Sequence, residues 1–473
     1  MKSFLIYIIV LLGGLSATNS YAIETHRQAN TQKEKYLDLN EFGLKGDDSD
    51  EFEKINDAFR KASLEGLIIT GKGTFNLFGR AVETAGAIRI KAKKKGDLIF
   101  RNGAYFFSPT DIELENTIFR DFKTAAFNYP NGRQPETRIR LQVRNCDFIN
   151  NNASFFSRQE SYNTMLVDSK ISGSSFVNSN YAAIYLKFNY RDMVIEDNHF
   201  EGTANHGRRL AMLVQIGVDS TGGGAGLKFR NNTIRNIIHP GKDINYTVLI
   251  LGDRNTVSGN TVEDISNVAF YVRGNNNTVE DNNIRNQKVT SKHAIIAKKL
   301  SPAGTLNVRN NQISGRFSTG VYVDSRFKTA NITGNEIHLR DRTDTMNYAA
   351  IRILGHEEHD SLNIIDNAIS VDVKGSRSVC IRINGKHFNK VNILNNRQLE
   401  SSGGILLTGN NSEIKYLHVR NNTMRSKGPS PISAESIEVS DNDTNFEIEG
   451  KKGFKIKSAR QMKRERNKVR ETI

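Results

Sequence analysis

Asn232-Thr233-Ile234, Asn260-Thr261-Val262 and Asn282-Asn283-Ile284 repeat one phrase: an Asn, any residue, then an aliphatic side chain, each followed by a polar turn. The phrase continues as Asn311-Gln312-Ile313, Asn335-Glu336-Ile337, Asn367-Ala368-Ile369 and Asn422-Thr423-Met424, with looser copies at Asn116, Asn145, Asn198 and Asn396. From Asn198 onward the intervals are 34, 28, 22, 29, 24, 32, 29 and 26 residues. Short strands at that period, without helical repeats between them, describe a solenoid in which each coil packs on its neighbours, not a sandwich. Asn suits a tight corner because it tolerates a left-handed backbone, and stacked copies can hydrogen-bond into a ladder. These Asn are therefore read as architecture and not as a site.

Between them runs a second signature, a small residue followed by a period-2 strand: Ala183-Ile184-Tyr185-Leu186-Lys187, Gly320-Val321-Tyr322-Val323-Asp324, Ala350-Ile351-Arg352-Ile353 and Gly404-Ile405-Leu406-Leu407. Each coil thus carries about three short strands. Alternation sends Ile184/Leu186, Phe270/Val272, Ile295/Ala297, Val321/Val323, Ile351/Ile353 and Ile405/Leu407 inward. The expected fold is all-β, a single solenoid of stacked short strands.

The ends of the chain read differently. Met1-Lys2, an apolar run from Phe4 to Leu12 and then Ser20-Tyr21-Ala22 have the form of a secretory signal over residues 1–22, so the mature protein is expected in the periplasm or outside the cell. No later segment has the roughly 20 apolar residues of a membrane span. The formal net charge is +15, and residues 450–473, with ten Lys and Arg against Glu465 and Glu471, carry +8 of it. That balance implies an acidic partner; in the expected compartment it is an acidic polysaccharide, with no nucleic acid as client. Only two cysteines, Cys146 and Cys380, stand far apart, which excludes a disulfide framework and a Cys-based zinc site.

The repeats resemble the right-handed parallel β-helix of the pectate-lyase-like superfamily. The segment Tyr36 to Asp48 resembles the opening of many carbohydrate-active members of that superfamily. After it, Phe52, Ile55, Phe59 and Ala62 share one face of a helix that Asp48 or Ser49 can cap, and such a helix would plug the open end of the solenoid. The expected organisation is a signal peptide at 1–22, a lead-in segment with capping helix at 23–97, the β-helix at 98–449 and a basic tail at 450–473. The resemblance implies polysaccharide chemistry, since the fold hosts lyases, hydrolases, epimerases and phage depolymerases.

Aligning the period-2 strands puts Tyr271, Tyr322, Arg352 and Arg382 in one outward column and Arg273, Lys298 and Asp324 in another. A cationic and aromatic stripe is what a polyuronate needs. The leading expectation is a secreted, monomeric lyase that cleaves an acidic exopolysaccharide by β-elimination. Arg273 would neutralise the carboxylate, Lys298 would be the base, and Tyr271 or Tyr322 the acid or alternative base, with His293 behind them. Arg352, Arg382, Asp324, Lys187 and the loop residues His206, Arg208 and Arg209 would bind neighbouring sugars. No metal ligand set is assigned, because His356-Glu357-Glu358-His359 lacks a third ligand, and calcium is left open. The rival readings are a glycoside hydrolase using Asp324 with Glu357 or Glu358, a uronate C5-epimerase, and a non-catalytic exopolysaccharide-binding protein.

Overall fold

The computed structural model describes residues 34–129, 137–157, 160–202, 212–218, 224–238, 246–266, 268–298, 304–340, 349–372, 378–398, 405–407, 413–423, 430–432, 436–440 and 446–448. The expected signal peptide and the basic tail lie outside these residues. The chain forms an all-β, right-handed parallel solenoid of about 11 turns, with one short helix near the N-terminus, Phe52–Glu65. All strand pairing among the described residues is parallel, each strand bonding to its counterparts in the preceding and following coils. Pairing starts upstream of the expected boundary at Leu98: Tyr36–Asp38 pairs with Ile68–Thr70, and Gly73–Asn76 with Leu98–Arg101.

The helix buries Phe52, Ile55, Phe59 and Ala62, and the Phe59 ring packs 5.6 Å from Phe100 and 5.0 Å from Phe106. Apolar side chains of the first coils are thereby covered at the end of the solenoid. Its N-cap is Glu51, not Asp48 or Ser49. Asp48 is drawn away by a salt bridge to Arg101, and the Glu51 carboxylate turns back to accept the Lys45 N–H at 2.9 Å. Gly66, left-handed at φ 67°, closes the helix.

Two stacked columns hold the core. In the N-terminal half, Phe75, Phe100, Phe119, Phe148, Phe176 and Phe200 lie in register with ring centroids 5.7, 5.8, 5.4, 4.9 and 4.9 Å apart. Beyond Phe200 the column continues as Ile234, Val262, Ile284, Ile313, Ile337 and Ile369.

Beside it runs the Asn ladder, through Asn198, Asn232, Asn260, Asn282, Asn311, Asn335, Asn367, Asn396 and Asn422, all buried. From Asn198 to Asn396 each Nδ2 donates back to a carbonyl of the preceding coil and forward to the next Asn; Asn232, for example, reaches Ile195 O and Asn260 Oδ1, each at 3.0 Å. The left-handed backbone belongs to the residue before: Asn231 at φ 55°, Asp281 at 55°, Asn310 at 54° and Asp366 at 57°. One position therefore bends the chain and the next satisfies its buried amides. Asn116 and Asn145 are left-handed bend residues, and their buried rungs are Thr117 and Cys146. The Cys146 amide donates to Ser174 Oγ, and burial pushes its thiol up to about 12.

Candidate functional site

Backbone register fixes one face of the solenoid. Tyr185, Gln215, Leu249, Tyr271, Ile296, Tyr322, Arg352 and Arg382 are successive neighbours in one column. Leu251, Arg273, Lys298, Asp324, Leu354 and Asn384 form the next. These are the columns expected from the alternation. The inward partners Ile184, Leu186, Phe270, Val272, Ile295, Ala297, Val321, Val323, Ile351 and Ile353 are all buried. Neighbouring strands stand about 4.8 Å apart, so each column presents one side chain per sugar-sized step.

The expected cationic stripe is divided. Its middle is apolar: Leu249, Leu251, Val268, Tyr271 and Ile296 pack together outside the main core, with Met212, Tyr246 and Tyr322 against them. Tyr271 is only 7% exposed, with its ring 4.4 Å from that of Tyr246. It packs as part of this cluster, which the alternation could not reveal because Leu and Ile look alike whether a strand faces in or out.

Polar chemistry gathers one to four coils further on. The His293 ring stacks on Tyr322 at 4.9 Å with 22° between planes, and the Arg352 guanidinium lies 5.2 Å from the centre of the same ring. Tyr322 is thus flanked by His293 from the coil before and Arg352 from the coil after. Burial, then the charge of Asp324 and a hydrogen bond to it, pushes the Tyr322 phenol above its ordinary value, with Arg352 opposing. Tyr322 is thereby held as a proton donor at neutral pH. Lys298 Nζ lies 2.7 Å from Asp324 Oδ2. Lys298 thus stands between Arg273, its register neighbour in the coil before, and the Asp324 carboxylate in the coil after.

Arg352 and Arg382 are adjacent in register, and no salt bridge reaches either among the described residues. Arg382 is 8% exposed, and burial followed by the Arg352 charge holds its guanidinium below the ordinary range. Neither Nε finds a hydrogen-bond partner among the described residues. Two adjacent cations with no carboxylate among the described residues form an anion-binding arrangement whose cost in repulsion a ligand would relieve.

Of the other expected residues, Arg273 follows Leu251 and precedes Lys298 in the second column. Lys187 lies at the upstream end of the face, 3.7 Å from Glu160 and over the Tyr185 ring. His206, Arg208 and Arg209 fall outside the described residues. His359 is a core residue, 2% exposed between the rings of Phe327 and Phe388 at 4.2 and 4.8 Å, as its place on a long strand demands. Among the described residues no group of three or more His, Cys, Asp or Glu converges as a metal site. A recess lined by Asn275, Asn277, Ser325, Arg326 and Phe327 adjoins Lys298 at the following corner; corner geometry hid it from the sequence.

No protein-family model and no curated protein matches the chain. Among solved structures, a tailspike protein double mutant of E. coli bacteriophage HK620, in complex with a pentasaccharide, superposes with TM-score 0.42 and 12% identity over 88% of this chain and 76% of that one. The Agl-KA catalytic domain gives TM-score 0.37 and 12% identity over 90% and 68%. The A-module of the Azotobacter vinelandii mannuronan C-5 epimerase AlgE6 gives TM-score 0.30 and 11% identity over 92% and 98%. Likeness this distant carries nothing about substrate or reaction. Among the described residues no helix is long and apolar enough to cross a membrane.

Proposed function

We propose that the protein is a secreted lyase that cleaves an acidic, uronate-containing polysaccharide by β-elimination at the face around Tyr322. The observation that carries this reading is the adjacent pair Arg352 and Arg382, without a counter-ion among the described residues, beside a tyrosine kept protonated. A uronate carboxylate bound at Arg352 has its charge neutralised, which acidifies the C5 proton and stabilises the enolate formed when that proton leaves. The electron pair then forms the C4–C5 double bond, the C4–oxygen bond breaks, and the Tyr322 hydroxyl protonates the departing oxygen. His293, stacked on Tyr322, is the proposed base. Arg382 takes the carboxylate of the next sugar, while Asp324 and Lys298 hold the Tyr322 hydroxyl in place. In this reading Arg352 takes the neutralising role first given to Arg273.

The test is a panel of purified polyuronates read by ultraviolet absorbance of the unsaturated product. Growth of absorbance that disappears in Tyr322→Phe and Arg352→Gln supports the lyase. New reducing ends without absorbance would replace it with a hydrolase. Solvent deuterium at C5 without cleavage would indicate an epimerase, and saturable binding without any product a binding protein.

A further inference from the structure

Upstream on the same face, five coils from Tyr322 in register, lies a second constellation that takes no part in the proposed elimination. Phe156 and Tyr185 are register neighbours with stacked rings, 5.6 Å apart at 21°. Tyr181 closes the group edge-on, 5.7 Å from Phe156 and 5.5 Å from Tyr185, and its hydroxyl is hydrogen-bonded to that of Tyr185. Phe156 and Tyr181 are half-buried. Lys187 Nζ stands 5.4 Å from the centre of the Tyr185 ring and 3.7 Å from Glu160, so this cation is already paired.

Two amide side chains bracket the rings along the column: Asn128, in register before Phe156, and Gln215, in register after Tyr185. Asn128 Oδ1 and Gln215 Oε1 are buried acceptors with no hydrogen-bond partner among the described residues, and Gln215 is only 4% exposed. A buried carbonyl left without a donor is costly, on the order of 1–3 kcal/mol, so unfilled acceptors beside a half-open aromatic group point to a ligand carrying hydroxyl donors.

We infer that Phe156, Tyr181, Tyr185, Asn128 and Gln215 form a binding subsite for a neutral pyranose residue of a glycan. Such a sugar has a flat face of C–H bonds that meets the electron-rich face of an aromatic ring, and an edge of hydroxyls that supplies the missing donors. Charge separates this subsite from the arginine end: among the described residues Lys187 beside it is paired with Glu160, whereas Arg352 and Arg382 have no counter-ion. A glycan spanning both from Tyr185 to Tyr322 crosses five coil steps, about 24 Å, which requires an oligosaccharide. The subsite stands independently of the lyase chemistry, because its recognition uses neither a carboxylate nor a proton transfer.

The chain contains no tryptophan, so Tyr181→Trp places a lone indole, selectively excited beyond the tyrosine band, in the platform while keeping it aromatic. The experiment titrates this full-chain variant with neutral hexasaccharides of glucose, mannose, galactose and xylose. At least one is expected to shift the emission saturably. Adding Gln215→Leu is expected to weaken that response at least about tenfold, whereas adding Arg382→Gln leaves it unchanged. Phe156→Leu serves as a second platform variant if Gln215→Leu lowers the yield of folded protein. No response to any neutral sugar overturns the inference, as does equal weakening by Arg382→Gln. Loss of the polyuronate reaction with the neutral-sugar response intact would sink the lyase and leave the subsite standing.

Discussion

Lys298 Nζ lies 2.7 Å from Asp324 Oδ2, one coil apart in a single column, and the same carboxylate accepts the Tyr322 hydroxyl. Asp324 therefore ties the column of charges to the column of rings. Its charge helps hold the Tyr322 phenol above its ordinary value.

That arrangement fixes the sign of a pH effect. If protonated Tyr322 delivers the proton to the leaving oxygen, the alkaline limb of the profile belongs to it, and turnover falls as pH rises through its raised pKa. Asp324→Asn removes one cause of the elevation and leaves burial in place, so the alkaline limb should move to lower pH. Tyr322→Phe should lower turnover by at least about a hundredfold with folding unchanged. A pH–rate profile that Asp324→Asn does not move would reject Tyr322 as the acid.

The adjacent arginines predict opposite changes in stability and binding. Arg382 is 8% exposed, beside Arg352, with no salt bridge among the described residues. Replacing a buried, uncompensated cation by an apolar side chain of similar length is favourable, so Arg382→Met should raise stability by on the order of 1 kcal/mol. The same change should weaken polyuronate binding at least about tenfold and reduce its dependence on salt. Denaturation and binding isotherms measured together decide it; a variant that loses both stability and affinity would mean that Arg382 has a structural role.

Inward positions allow no such exchange. Val323 and Ile353 are wholly buried. Val323→Asp or Ile353→Asp places an unpaired carboxylate among apolar side chains, which costs more than a marginally stable fold can absorb. Soluble, cooperatively melting protein from either variant would contradict the inward assignment.

The solenoid and the two outward columns were legible because period-2 alternation and a repeated Asn are strictly local signals. The helix face was legible for the same reason, whereas its N-cap was not, since Arg101 competes for Asp48 from a distant part of the chain. Within the site, sequence identified Tyr322, Arg352, Lys298 and Asp324 as outward neighbours. It could not tell that Asp324 occupies Lys298, or that Tyr271 packs into an apolar cluster, because both depend on side chains from neighbouring coils. Phe156 also escaped: its outward direction follows from register with Tyr185, and in sequence it is simply the second of two adjacent Phe.

The buried ladder gives the last prediction. Asn282 Nδ2 donates to Val257 O and Asn311 Oδ1, each at 2.9 Å, while its Oδ1 accepts the Asn260 amide at 3.0 Å and Asn260 Nδ2 at 2.9 Å. Asn282→Ala strands groups in the coils on both sides and should cost roughly 3 kcal/mol or more in urea denaturation. A second, outer ladder supplies the control. Asn331 Nδ2 donates to Asn307 Oδ1 at 2.9 Å, and its Oδ1 accepts Asn363 Nδ2 at 2.7 Å, but these residues are half-buried, where water can replace a lost partner. Asn331→Ala should therefore cost less than about 1 kcal/mol. Asn282→Asp should be worse than Ala at neutral pH, because a carboxylate would face Val257 O and Asn311 Oδ1, which are acceptors. Its folded-state pKa would be raised above the unfolded value of about 3.9, so the deficit should appear as pH rises past that value and shrink on acidification. Equal costs for the inner and outer Ala variants would mean that the buried amides are satisfied in some other way and that the ladder does not hold the coils together.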